Sequence, residues 1–187
     1  MTPSQTRTTG YVAFVAFLLC IPLANWMIGN VGTVCVPNGP CLVPVAPGIM
    51  APTGVLGAGV SLVLRDVVQR CLGLTPSFVA IILGAALSAF IAPPALVIAS
   101  TIAFTLSELA DLAIYTPLQR RGLVLAVIAS ALVGLVVDSV VFLSLAFHSL
   151  DFLAGQVVGK LWAVLFSLPL IRLMRRAAPT PAFPAPA

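Results

Sequence analysis

A chain of 187 residues that is 60% hydrophobic, only 7% charged and has a mean hydropathy of +1.16 does not have the composition of a soluble domain. Its net charge of +4 comes from Arg residues spread along the sequence rather than from one basic patch, which argues against a nucleic-acid partner. The composition is that of an all-α membrane protein whose spans lie against lipid.

Six windows approach the roughly 20 helical residues needed to cross a hydrocarbon core of about 30 Å. They fall near Tyr11 to Gly29, Gly48 to Leu64, Ser77 to Ile91, Pro94 to Tyr115, Gly122 to Phe147 and Phe152 to Leu173. The third is short, and Pro93-Pro94 leaves open a bent hairpin joining it to the fourth. Arg7, the Arg65 and Arg70 pair, Arg120-Arg121, and Arg172, Arg175 and Arg176 all fall on one side of a six-span topology, while the opposite loops hold no Lys or Arg. By the positive-inside rule both termini are expected in the cytoplasm. The chain then divides into a short polar cytoplasmic segment (1–10), a six-helix membrane domain (11–173) and a Pro/Ala-rich cytoplasmic tail (174–187), with the two terminal segments expected to be mobile or disordered. The first apolar run is longer than a signal-peptide core and lacks an Ala-x-Ala site, so it is expected to be a retained span.

Along the first span, Trp26 is expected as an interfacial anchor, and Asn25 either caps backbone groups or binds a polar solute. The Gly- and Pro-rich external loop that follows holds Cys35 and Cys41, which an oxidising exterior could join across the intervening turn. Cys20 and Cys71 need no partner, and the single His148 offers no matching metal-ligand set; no metal or cofactor is expected. The second span is rich in small residues, with Gly54, Ala58, Ser61 and Arg65 on one stripe and Gly57 beside it, a pattern that permits close helix approach. It ends as Arg65-Asp66-Val67-Val68-Gln69-Arg70 at the cytoplasmic edge, where the Arg residues mark topology and Asp66 is positioned to neutralise Arg70, four residues on.

The fourth span carries the chain's most unusual feature. Glu108 and Asp111 share one helical face with Thr101, Thr105 and Tyr115. Ionisable residues at membrane depth are costly and face a bundle interior or a water-filled cavity. Counted from Pro94 at about 1.5 Å per residue, the two acids reach the inner half of the membrane, level with Asp66, so the three are expected either to share an inner chamber or to form salt bridges with Arg65 and Arg70. Asp138 and Lys160 stand alone in the fifth and sixth spans at matching depth from the outer ends, which predicts an ion pair between antiparallel neighbours. That pair either fixes helix register or acts as a gate. Gln156 lies one turn before Lys160, and Gly155 and Gly159 form a close-packing pair.

These residues resemble the motifs of the queuosine precursor transporter family, also called the vitamin uptake transporter family, from about Pro47 to Leu173. The matching features are Asp66-Val-Val-Gln-Arg70 closing the second span, Glu108-Leu-Ala-Asp111 in the fourth, Asp138 in the fifth and Lys160 to Pro169 in the sixth. Some family members have Gln in place of Glu108, and the cysteine loop and Arg65 are particular to this chain. The resemblance implies import of 7-deazaguanine bases such as preQ0 or preQ1 across the inner membrane. It also implies a fold similar to the six-helix substrate-binding subunits of energy-coupling factor importers, with a second copy or an energy-coupling subunit as a partner. On that reading a carboxylate accepts the ring N–H and exocyclic amine side by side, Lys160 or Asn25 serves the carbonyl, and Phe104, Tyr115 or Trp162 stacks on the ring. The residues singled out for binding or coupling are Glu108, Asp111, Asp138, Lys160, Asp66, Asn25 and Gln156. An importer of another vitamin-like or nucleobase solute and a non-transporting subunit of a membrane complex are the alternatives. An intramembrane enzyme lacks support, since no catalytic motif is present.

Overall fold

The computed structural model describes residues 2–177 apart from Asn38, Pro93 and Ala95, with the backbone alone from residue 170. The expectation of a disordered tail therefore lies almost wholly outside the described residues. Six helices run in chain order, α1 (Pro3–Asn30), α2 (Val55–Leu72), α3 (Leu74–Ile91), α4 (Val97–Leu118), α5 (Leu123–Ala146) and α6 (Leu153–Ala177). Between α1 and α2 lies an antiparallel sheet of β1 (Val34–Cys35), β2 (Cys41–Ala46) and β3 (Ile49–Pro52), in that order.

Among the described residues four helices, α1, α3, α4 and α5, are long and apolar enough to cross a membrane, and α6 contributes a shorter apolar stretch, Leu153–Pro169. The chain is a multi-pass membrane protein. Large apolar side chains such as Phe90, Ile98 and Phe166 point outward, as lipid contact requires. The second helix is the exception in composition, and its place in the bundle explains why. It touches all five other helices, so its polar residues Arg65, Asp66 and Gln69 turn inward and are buried. This corrects the reading of Arg65 as a topology marker at the membrane edge.

Three boundaries differ from the sequence reading. Residues 2–10 are not a loose segment, because Thr2 caps α1 in a reciprocal capping box with Gln5 and Pro3 takes the first turn. Residues 48–54, expected at the start of the second span, instead complete the sheet, since Gly48 adopts φ 72° at the turn between β2 and β3. Gly73, at φ 97°, ends α2 and starts α3 without a connecting loop, so α3 begins three residues earlier than expected.

The sheet packs on α6 and α1. A disulfide joins Cys35 to Cys41 across β1 and β2, and the Trp162 indole N–H donates to the Val45 carbonyl at 3.0 Å. The Gly155 and Gly159 pair, read as a helix-packing motif, serves this junction. A side chain at Gly155 would strike Met50 and Ala51 of β3, and one at Gly159 would strike Val45 of β2 and Val55 of α2. The close approach used on α2 is to α1 and α6: Gly57 lies against Ala24, and Gly59 against Lys160 and Ala163.

Candidate functional site

Two buried ionic groups and one cavity occupy the bundle interior. The inner group is built around Arg65. Its Nη2 lies 3.0 Å from Asp66 Oδ1 and 2.6 Å from Asp111 Oδ1, and its Nε lies 3.4 Å from Glu108 Oε2. Nη1 donates to Gln69 Oε1 at 3.0 Å, and the Gln69 amide donates in turn to Thr116. The guanidinium also sits 5.6 Å from the centre of the Tyr115 ring, within cation–π range. All of these acids are at most 1% exposed. The Nη2 contacts are at ion-pair distance but not aligned as hydrogen bonds, and neither oxygen of Asp111 has a hydrogen-bond partner.

Helix geometry assembles this group. Arg65, Asp66 and Gln69 occupy the inward side of α2, while Glu108, Asp111 and Tyr115, at spacings of three and four, form one face of α4 turned toward it. Gly134 on α5 leaves room for the approach, because a side chain there would crowd the Asp111 side chain and Leu62. From α5, the Ser130 hydroxyl lies 3.4 Å from Asp66 Oδ2.

The outer group is built around Lys160. Its ammonium donates to Asp138 Oδ2 at 2.5 Å, Gln156 Oε1 at 2.6 Å and Ser139 Oγ at 2.8 Å. An ammonium has three N–H donors, and here all three are used. The Asp138 and Lys160 pairing expected from matching depths is present, with Lys160 buried and Asp138 18% exposed.

The cavity has a volume of about 770 Å³ counted with its open mouth and draws residues from all six helices and β3. Asn25 and Cys20 of α1, Gly57, Ala58 and Ser61 of α2, Ser88 of α3, Phe104 and Glu108 of α4, Asp138 and Phe142 of α5, and Gln156 and Lys160 of α6 are among its walls, and Pro52 and Gly54 line it where the sheet meets α2. Glu108 therefore has two faces. Its Oε2 is held by Arg65, while the nearest partner of Oε1 is the Ser61 hydroxyl at 3.4 Å, whose single proton has the Ala58 carbonyl as a closer acceptor at 2.9 Å. Oε1 is thus left with acceptor capacity, on a residue that lines the cavity.

Five of the seven residues singled out by sequence line this space: Glu108, Asp138, Lys160, Asn25 and Gln156. Asp66 and Asp111 do not; they close on Arg65 instead of bounding an inner chamber. Asp66 is also paired with its neighbour Arg65 and not with Arg70 as expected. Asn25 caps the backbone, its amide donating to the Ile21 carbonyl at 3.0 Å, and the residue lines the cavity. Of the three proposed stacking rings only Phe104 borders the cavity. Tyr115 is buried beneath Arg65, and Trp162 is bound to the sheet and stacked on Phe166. The sequence reading does not reach Phe142; for Arg65 it gives the salt bridges to these acids only as the alternative to an inner chamber, although the residue shares a small-residue stripe on α2 with Gly54, Ala58 and Ser61.

A multi-pass helical protein with a polar cavity bounded by buried ion pairs has the form of a small-solute carrier. The chain belongs to the family described as "Putative vitamin uptake transporter", whose model matches residues 55–183, covering α2 to α6 and leaving out α1 and the sheet. Comparison with curated proteins and with solved structures returns no match.

Proposed function

We propose that the chain imports a 7-deazaguanine base of the preQ0 and preQ1 type across the inner membrane, through six spans with both termini cytoplasmic. The observation that carries the reading is the Glu108 carboxylate at the wall of a cavity inside the bundle, with Oε1 held only by a long contact from Ser61. A carboxylate in that position accepts the ring N–H and exocyclic amine of a guanine-like edge together. Phe104 and Phe142 offer apolar faces for a flat ring. The carbonyl on the same edge falls to Asn25, because each N–H of Lys160 is already committed within the protein. Lys160 and Gln156 act instead by holding Asp138. Asp66 and Asp111 act at one remove, through Arg65, by fixing where Glu108 points. The vitamin uptake description of the family also covers another vitamin-like or nucleobase solute, which the same carboxylate and rings would suit.

The test is accumulation of labelled preQ0 or preQ1 by cells that cannot make the base themselves. Cells carrying the chain should accumulate the label, and a Glu108→Ala variant present at equal level in the membrane should not. Full expression of the wild-type chain with no uptake of either base overturns the assignment. Proteoliposomes holding the chain alone, under a proton gradient, then separate a self-sufficient carrier from one that works with a second copy or an ATP-driven subunit.

A further inference from the structure

The charges around the cavity do not balance, and the imbalance lies on one side. In the outer group one ammonium faces one carboxylate. In the inner group one guanidinium faces three carboxylates, Asp66, Glu108 and Asp111. Taken together, four ionisable acids among the described residues stand against two bases in the bundle interior. Charge of that kind is not left bare in a low-dielectric setting and has to be met by cations from outside the chain, either protons or a charged solute. Only Glu108 among the inner acids borders the cavity, and its Oε1 has the single distant partner described above. Across the cavity Asp138 keeps Oδ1 outside the Lys160 contact and is the one acid of the four with measurable exposure.

We propose that the cavity takes its solute as a cation, with Glu108 on α4 and Asp138 on α5 as the two acceptors, so that a planar solute bearing a protonated amine binds in preference to neutral analogues of the same ring. This rests on the importer reading and narrows its substrate class. The ring edge and the amine lie at different ends of such a solute, and the two carboxylates on separate helices give each end an acceptor. Lys160 does not cancel the attraction, because its charge is already matched by Asp138 and its donors are filled. Among the described residues the wall holds no further cation: Arg65 is not part of it and is shared among Glu108, Asp66 and Asp111.

The two bases named above make the experiment direct, since preQ1 carries an aminomethyl group that is cationic at pH 7, whereas preQ0 carries a neutral nitrile on the same ring. N-acetylated preQ1 supplies a larger neutral analogue, so size and charge are separated. Equilibrium binding of the three to the purified wild-type protein in detergent should rank preQ1 about tenfold or more ahead of both neutral bases, the scale of one charge-assisted hydrogen bond. Asp138→Asn, which neutralises the acceptor left for the amine end, should narrow that ratio toward one, whereas Glu108→Gln, at the ring edge that the three bases share, should weaken all of them alike. Equal or weaker binding of preQ1 overturns the cation preference and leaves the importer reading standing. Binding of none of the three overturns both.

Discussion

The two buried ionic groups of this bundle share a depth of burial but differ in how completely their charges are answered. Lys160 has three donors and three acceptors, and its charge is matched by one acid that keeps some access to the cavity. Arg65 has three acids, none exposed, with both oxygens of Asp111 unaligned with any donor. The first is a saturated joint between α5 and α6. The second sets one guanidinium among three acids, so that removing the cation is far worse than removing any one acid.

The largest expected effect follows from that difference. Arg65→Met leaves three carboxylates in the interior with no counter-charge, and breaking a buried pair in this way costs about 3–5 kcal/mol. Since that approaches the whole stability of a typical domain, the variant should be nearly absent from the membrane by fluorescence-detected size-exclusion chromatography. Arg65→Lys should rescue little, because a single ammonium cannot span partners on α2 and α4 as a planar fork does. A monodisperse Arg65→Met protein at wild-type level would show that the inner group is held by something other than this residue.

What could be read from the sequence divides along the same line. The outer pair was legible because Asp138 and Lys160 are solitary charges in apolar helices, so depth alone brings them together. The inner group was only half legible. Glu108 and Asp111 announced themselves by helical spacing, but Arg65 lies next to a cytoplasmic boundary, where an Arg is ordinarily a topology signal, and only the third dimension reveals that α2 is central enough to bury it. The helices themselves were readable from hydropathy. The sheet was not, because β2 and β3 hold three prolines, Pro44, Pro47 and Pro52, in or beside short strands, a composition that reads as loop. For the same reason Gly155 and Gly159 gave a correct expectation of close packing but no means of knowing that the partner was partly a sheet.

The intermediate effect belongs to the outer pair. Asp138→Lys or Lys160→Asp alone puts two like charges side by side and should cut both yield and uptake severely. The charge-swapped double variant restores the attraction and should recover more of both than either single change, which makes the coupling positive in a double-mutant cycle. Equal failure of all three would mean that Gln156 and Ser139 define the direction of this joint as much as the charges do. The comparison sharpens if the swap recovers folded protein but not uptake, since Asp138 would then be needed on α5, where it meets the cavity.

The smallest expected effect tests saturation itself. Ser139 accepts from Lys160 at 2.8 Å and donates to the Leu135 carbonyl at 2.6 Å, so Ser139→Ala removes one of three acceptors without changing any charge. A buried hydrogen bond to a charged group contributes roughly 1.5–3 kcal/mol, and part of that returns when the Asp138 carboxylate, already bonded to Lys160 through Oδ2, turns to offer its second oxygen to the freed donor. The net loss should be about 1 kcal/mol, seen as a shift of a few degrees in the thermal unfolding midpoint of the detergent-solubilised protein. Reorienting Asp138 toward Lys160 also withdraws its second oxygen from the cavity. Ser139→Ala should therefore weaken preQ1 binding while leaving preQ0 binding unchanged, a split that a purely structural role for the joint would not produce.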